Sequence, residues 1–389
     1  MSATAPILSS PLPAEPDRLL SVTFGDWAPL GGTVTLPVAP KRTVLVGRNG
    51  AGKSLLLEGC SSAKNALLSL PEARGPAKWE IQIKSSAGAL LGYHYSWDLA
   101  PGSEEPSQYQ PIHRRWSEAC HDAQSGREIW RVADELASFH GKTLRLPAGT
   151  GLLSHAMPSD IPSEAKDLRT FFIGIHSIES GVPRSSSERS ELVIDRNTAR
   201  EIGGHGFNRR IVQLAGTIGY WSTRDKDSYQ EFVDLARRVG VLEDVDVKIY
   251  KDPAPSAGHS RDLAWIEIDG KNIGLLADGT LRVLETLADL VEPRATLLLI
   301  EEPETSIHPG LLHRLLAEID SYTLDRQVIL STHSLIVVDW AHPSDIRLVE
   351  RTEGQTRVRA LNDREVTDVA AYLDDQGTLA DYIYGRSDA

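Results

Sequence analysis

Cysteine is almost missing from this chain: Cys60 and Cys120 are the only two among 389 residues. Two thiols do not make a disulfide framework, so a reducing, cytoplasmic setting is expected. Long apolar runs are missing too. None approaches the roughly eighteen residues of a membrane-spanning helix, so no membrane is expected among the partners. The first residues lack the basic-then-apolar order of a secretory signal. Positive charge is short: 41 Lys and Arg face 54 Asp and Glu, a formal net charge of −13. That balance disfavours general adhesion to nucleic acid and leaves only a local basic groove open to it. No heptad pattern is sustained, which excludes a long coiled coil, and no internal repeat is visible. What remains is the apolar and charged content of an ordinary globular protein, long enough for about two or three domains or one large domain with an insertion.

One stretch organises the rest. Gly47, Arg48, Asn49, Gly50, Ala51, Gly52, Lys53 and Ser54 follow the spacing G-x-x-x-x-G-K-[ST], the pattern of a loop that wraps the phosphates of a nucleoside triphosphate. Glycine there lets the backbone take strained angles and turn successive N–H groups toward an anion. In this pattern Lys53 reaches the β/γ-phosphates and the Ser54 hydroxyl is a ligand for Mg²⁺. The flanks agree. Residues 43–46 are a short apolar, β-prone run, and 53–68 read as a helix whose N-terminus favours bound phosphate.

Residues 1–17, with prolines at 6, 11, 13 and 16, read as a loose leader. Strands are expected at 19–24 and 33–36, and Phe24 and Trp27 read as core rather than as a platform for an adenine ring. From 77 to 148, strands at 79–84, 90–97, 129–132 and 143–146 suit an antiparallel meander. The His and Glu residues there follow no metal-ligand spacing. Residues 158–163 punctuate the chain before another helix, and 185–187 and 203–206 read as mobile loops. Helices are expected at 208–223 and 227–239, the second with Phe232, Leu235 and Val239 on one face. The doublets Arg209–Arg210 and Arg237–Arg238 read as solvated faces. Beyond 241, strands at 245–250 and 263–268 give way to alternating helix (281–290, 311–322) and strand (296–300, 327–330), with a terminal pair at 346–350 and 356–360. Such alternation indicates a parallel sheet covered by helices. The expected division is a leader at 1–17, one α/β domain from 18–75 and 240–389, and an insertion at 76–239 with a meander followed by helices.

Two further motifs lie in the second part. Leu297, Leu298, Leu299 and Ile300 make an apolar strand that ends on Glu301 and Glu302, at the edge where ligands of such sheets sit. Two adjacent acids there are costly unless a cation or a reaction uses them. Glu301 is the expected metal ligand, and Glu302 the residue expected to orient or deprotonate an attacking water. Later, Ile329-Leu330-Ser331-Thr332-His333-Ser334 is an apolar strand ending on a histidine, placed to contact a γ-phosphate.

Taken together, G-R-N-G-A-G-K-S, L-L-L-I-E-E-P-E-T-S-I-H-P and I-L-S-T-H-S resemble the ABC-type ATPases of the SMC-like branch. In particular they resemble the compact bacterial AAA-family ATPases grouped with the overcoming-lysogenization-defect (OLD) proteins and with ATPase subunits of phage-defence systems. The resemblance implies an α/β fold: an ABC-type P-loop NTPase with a central, mostly parallel sheet, an N-terminal antiparallel β portion and a mixed β/helical insertion. It makes residues 47–54 the Walker A loop, Glu301 the Walker B metal acid, Glu302 the catalytic glutamate and His333 the switch histidine. Lys53, Glu302 and His333 are then the catalytic set, with ATP and Mg²⁺ as cofactors. His308 falls where transporter ATPases keep a D-loop aspartate. Leu276-Ala277-Asp278-Gly279-Thr280 takes the signature position, with Asp278 and Gly279 as implied anion contacts. Ala277 departs from the family's serine, which binds the γ-phosphate of ATP held by the opposite subunit. No glutamine is assigned to a Q-loop.

The implied function is Mg²⁺-dependent ATP hydrolysis by a homo-oligomer, a dimer or higher. Its ATP-driven self-association would regulate or scaffold a separate effector, such as a nuclease or toxin, in bacterial antiviral defence. The alternative is a DNA-repair or chromosome-associated SMC-like ATPase that clamps nucleic acid. A transporter subunit is disfavoured by His308 and the large insertion. An OLD-like nuclease domain is not expected in the short stretch after His333, where Asp374–Asp375 alone makes no metal site.

Overall fold

A computed structural model of the chain describes residues 16–68, 76–99, 114–133, 135–147, 151–153, 161–178, 209–251, 262–375 and 377–387. The expectations for 1–15, the start of 158–163, 185–187 and 203–206 lie outside the described residues. Strands β1 (Arg18–Trp27) and β2 (Gly32–Pro37) form an antiparallel pair, and β3 (Arg42–Val46) runs through the glycine loop into α1 (Lys53–Leu68). Six strands follow: β4 (Lys78–Lys84), β5 (Leu90–Leu99), β6 (Arg114–Asp122), β7 (Glu128–Ala133), β8 (Leu136–Phe139) and β9 (Lys142–Arg145). They extend the first hairpin, because β4 pairs with β1 to give one sheet in the order β2-β1-β4-β5-β6-β7-β8-β9. Period-two patterning is plain in β4, where Trp79, Ile81 and Ile83 are buried and the residues between them are exposed. Strands β6 and β8 were not expected from the sequence. Ser, Glu, Ala and His dilute the β pattern of β6, and pairing with β5 and β7 on its two edges supplies what propensity lacks.

Helix α2 (Ser163–Ile173) leads into β10 (Ile175–Ile178); then come α3 (Arg209–Arg224), α4 (Lys226–Val239) and a small sheet of β11 (Val245–Lys251), β12 (Asp262–Ile268) and β13 (Lys271–Asn272). The chain then alternates through α5 (Asp278–Val291), β14 (Leu297–Glu301), α6 (Pro309–Tyr322), β15 (Gln327–Thr332) and α7 (Leu335–Trp340). It ends with β16 (Ile346–Thr352), β17 (Gln355–Ala360), α8 (Asp363–Asp375) and α9 (Leu379–Ser387). The central sheet has the order β10-β14-β15-β3-β16-β17, parallel except for the hairpin strand β17. The fold is thus mixed α/β, with a mostly parallel central sheet beside a large antiparallel one. Part of the 76–239 stretch belongs to the central sheet itself, since β10 pairs with residues 297–300. A four-residue strand reading Ile-His-Ser-Ile carries too little pattern to announce that.

Both faces of the central sheet are covered, which explains why its strands read as continuous apolar runs. Leu45, Leu297, Leu299 and Ile329 face a core shared with α1, α2 and the antiparallel sheet. Val44, Leu298, Ile300, Val328 and Leu330 face a second core made with the helices of the other side. Phe24 and Trp27 pack on each other in the first core, ring centroids 5.9 Å apart. Cys60 and Cys120 are buried free thiols. Gln327 joins the two sheets. Its buried amide donates to the carbonyls of Leu19 and Ala39, each at 3.0 Å, and accepts from the Leu19 N–H at 2.6 Å. Among the described residues no helix is long and apolar enough to cross a membrane.

Glu118 of β6 is an acid inside the first core, 1% exposed. Its Oε2 accepts the Leu152 N–H at 3.3 Å, and burial pushes its carboxyl up to about 7 from an ordinary 4.5. The folded state therefore holds this proton more tightly than the unfolded chain does. The resulting stability is complete below the unfolded pKa and is lost as pH rises through the folded one. Glu118→Gln should flatten the fall in thermal midpoint between about pH 5 and pH 8 and raise stability at pH 8 by up to a few kcal/mol. Parallel pH profiles for the two proteins would exclude Glu118 as the source.

Candidate functional site

Parallel strands leave a sheet on the same edge, and three of them end together here. Glu301 of β14 is in register with Ser331 of β15, and Ser331 with Leu45 of β3. Just past that line the chain turns out of the sheet as Glu302, His333 and Gly47. The loop after β3 is held against β17: Thr356, fully buried, donates its hydroxyl to the Ala51 carbonyl at 2.9 Å. Gly52, at φ +111°, has no room for a side chain, because a Cβ would come within 2.7 Å of that hydroxyl. Arg48, Asn49 and Gly50 are exposed at the crest, and Ser54 is exposed on the first turn of α1. That first turn has no acidic residue, so nothing there competes with an anion for the positive end of the helix.

The Lys53 side chain folds back over the loop and is 6% exposed. Its Nζ donates to the carbonyls of Gly47 at 2.8 Å and Arg48 at 3.2 Å, and lies 2.7 Å from His333 Nε2. An ammonium can only donate, so with Lys53 charged Nε2 is the acceptor and the ring proton sits on Nδ1. The environment suits a neutral imidazole: burial and then the Lys53 cation lower the His333 pKa, against Glu302 and Glu304. Burial also lowers the Lys53 pKa, opposed by Glu302, Glu304 and Glu301. Glu302 Oε1 stands 3.9 Å from the same His333 nitrogen. Glu302 takes φ +45°, a left-handed conformation uncommon for a residue with a side chain. Its N–H still bonds the Ser331 carbonyl at 2.9 Å, and its Oε2 accepts the Thr305 hydroxyl at 3.3 Å.

Glu301 is half-buried at the strand end, and its backbone carbonyl accepts the Arg282 guanidinium. Arg282 comes from α5 and is 1% exposed. Beside it Arg210 of α3 lies 2.9 Å from Glu285 and 3.4 Å from Asp278. Burial pushes the Glu285 carboxyl up to about 8. Asp278 and Gly279 do not join the Lys53–Glu302–His333 cluster by a hydrogen bond or ion pair. Asp278 pairs with Arg210, and Gly279 is buried against Ser306, whose carbonyl oxygen would sit 2.0 Å from an added Cβ. Ala277 is the N-cap of α5 and offers no side-chain cap, a position where serine would accept a backbone N–H. His308 caps α6, its Nδ1 accepting the Gly310 N–H at 3.2 Å.

Three residues of this region escaped the sequence reading. Thr356 and Arg282 carry no signal, being an ordinary strand threonine and an ordinary helix arginine. Glu304 was visible as a third acid in Glu-Glu-Pro-Glu, yet its target, the backbone of another strand end, was not. Among the described residues no three His, Cys, Asp or Glu converge as a metal cage. A divalent ion at this edge would draw on phosphate and water oxygens besides the protein, as Mg²⁺ ordinarily does in nucleotide sites.

A family of AAA domains, described as "AAA domain, putative AbiEii toxin, Type IV TA system", matches residues 160–339. The match spans Asp278, Glu301, Glu302 and His333 and stops short of the glycine loop. No curated protein matches the chain in sequence. Among solved structures it is similar to an SmcHead bound to the C-winged helix domain of ScpA, at TM-score 0.44 and 12% identity, covering 90% of this chain and 99% of that one. It is also similar to an Smc head domain with an extended coiled coil, bound to the C-terminal domain of ScpA derived from Pyrococcus furiosus, at TM-score 0.43 and 12% identity over 92% and 100%. The SMC head domain from Thermotoga maritima gives TM-score 0.37 and 13% identity over 89% and 99%. Residues 160–339 are thus similar to an AAA domain. AAA ATPases as a class bind nucleotide, usually with Mg²⁺.

Gly279 offers a direct check of its packing role. Gly279→Ala should lower the thermal midpoint of the nucleotide-free protein by several degrees, about 1–3 kcal/mol, because overpacking against backbone is not relieved by rotating a side chain. An unchanged midpoint would leave anion contact as the reason for glycine at this position.

Proposed function

We propose that this protein is a Mg²⁺-dependent ATP hydrolase whose ATP-bound form self-associates and regulates a separate effector protein, in bacterial antiviral defence. The observation that carries the hydrolase reading is the meeting of Lys53, His333 and Glu302 at 2.7 and 3.9 Å on one sheet edge, above the N-terminus of α1. In this reading the loop N–H groups of residues 47–54 wrap the phosphates of ATP. Lys53 exchanges its loop carbonyls for the β/γ-phosphates, and His333, released from Lys53, meets the γ-phosphate. Glu302 orients the attacking water and takes its proton. Ser54 and Glu301 are the residues to hold Mg²⁺, which would neutralise phosphate charge as the bond breaks. Catalysis of this type is positioning and charge stabilisation rather than covalent chemistry.

Self-association is supported by exposed apolar side chains beside the site: Leu275 (71% exposed) precedes the Asp278 turn and Leu335 (55%) follows the His333 turn. The effector role is supported by the toxin–antitoxin description of the matched family. We assign docking of the effector to the antiparallel part of the 76–239 stretch, since β10 within that stretch belongs to the central sheet of the ATPase formed with 18–75 and 240–389. An acidic chain with a net charge of −13 favours a protein effector over a clamp on nucleic acid.

Three variants test the reading together. Lys53→Ala should lose nucleotide binding, measured with a fluorescent ATP analogue. Glu301→Gln should weaken Mg²⁺-dependent binding, whereas Glu302→Gln should bind normally and lose kcat by about a hundredfold or more. Light scattering of Glu302→Gln should show a larger species with ATP and Mg²⁺ than without. Normal binding by Lys53→Ala would sink the site, and a monomer under every condition would sink the assembly.

A further inference from the structure

We infer that Glu304 is the positioning residue of the switch histidine: its carboxylate grips the backbone that carries His333 and so sets the distance from His333 to Lys53 and Glu302. The inference deepens the reading given above and rests on it. One oxygen, Glu304 Oε1, accepts three hydrogens: from the Thr332 hydroxyl at 2.7 Å, the His333 N–H at 2.9 Å and the Ser334 N–H at 3.1 Å. The Thr332 hydroxyl in turn accepts from the Ser334 N–H at 2.9 Å, closing a small ring of bonds around the turn.

The backbone explains why a long side chain ending in an acceptor oxygen is needed there. Strand β15 ends at Thr332 and α7 begins at Leu335, so the N–H groups of His333 and Ser334 have left the ladder and have not entered a helix. Ser334 is the N-cap of α7 and its own side chain makes no cap bond. Donors at such a junction must be satisfied from outside, and the Glu304 Oε1 oxygen is the acceptor that reaches them. Glu304 reaches across because β14 and β15 are neighbours in register, with Glu301 opposite Ser331.

The left-handed turn at Glu302 divides the labour between the two acids. Glu302 is turned toward the His333 ring, at 3.9 Å, while Glu304 holds the main chain under that ring. The spacing Glu-Pro-Glu thus ties the end of β14 to the end of β15. Loss of the grip would let the His333 turn drift, and displacement of about an ångström at a reacting centre can cost up to a hundredfold in rate.

A crossed pair of substitutions separates reach from charge. Glu304→Gln keeps the length and an acceptor oxygen but removes the charge. Glu304→Asp keeps the charge but falls one methylene short. For positioning, kcat of Glu304→Gln should stay within about fivefold of wild type while that of Glu304→Asp falls at least about tenfold, with the KM for ATP changed by less than about threefold in both. Amide hydrogen exchange of the peptide carrying His333 and Ser334 should speed up in Glu304→Asp and not in Glu304→Gln. The reverse order of activities would make Glu304 a charge or metal residue and overturn the inference. So would equal impairment of both variants, or wild-type kcat in both. Lys53→Ala, assayed alongside, reports on the site itself: normal binding there sinks the site reading whatever the Glu304 pair does.

Discussion

The register of three parallel strands is the constraint on which the site depends. With Leu45, Ser331 and Glu301 hydrogen-bonded side by side, the next residues of β3, β15 and β14 have nowhere to go but the same edge. Burial of both faces of the sheet strengthens this. Leu297, Leu298, Leu299 and Ile300 are each fully buried, so polar groups are pushed off the strand body to its end. On β14, therefore, the acids stand at the strand end and not along its body.

That convergence has an electrostatic cost which the arrangement distributes. Lys53 is nearly buried and loses solvation, yet three carboxylates lie near enough to hold its charge. His333 is disfavoured as a cation by burial and by Lys53, so the pair is one cation and one neutral ring at 2.7 Å rather than two repelling charges. Every bond Lys53 makes here is to a group that a phosphate oxygen outcompetes as an acceptor, since a charged acceptor makes the stronger hydrogen bond. The lysine is held in place without being used up.

Neighbouring elements report on the same strand ends. Arg282 binds the Glu301 carbonyl, Gly279 one turn earlier packs on Ser306, and Arg210 from α3 pairs with Asp278 and Glu285. Helix α5 is therefore wedged between α3 and the turn after β14. On the opposite side Thr356 plays the matching part for the glycine loop.

Much of this was legible in the sequence, for reasons that are local. The glycine loop, the helix at Lys53–Leu68 and the apolar runs that end on acids or histidine are short-range patterns, and each became the expected element. The chemistry proposed for them rests on glycine, lysine and paired carboxylates at those spacings having few other uses. Tertiary structure decided what pairing over long separations decides. It placed Ile175–Ile178 beside β14 and carried the meander onward from the first hairpin. It turned Glu304 toward the His333 backbone, paired Asp278 with Arg210, and packed Gly279 against the Ser306 carbonyl. None of these has a signature within its own segment, because each depends on which strand end or helix lies opposite, and that is settled only when both faces of the sheet are buried.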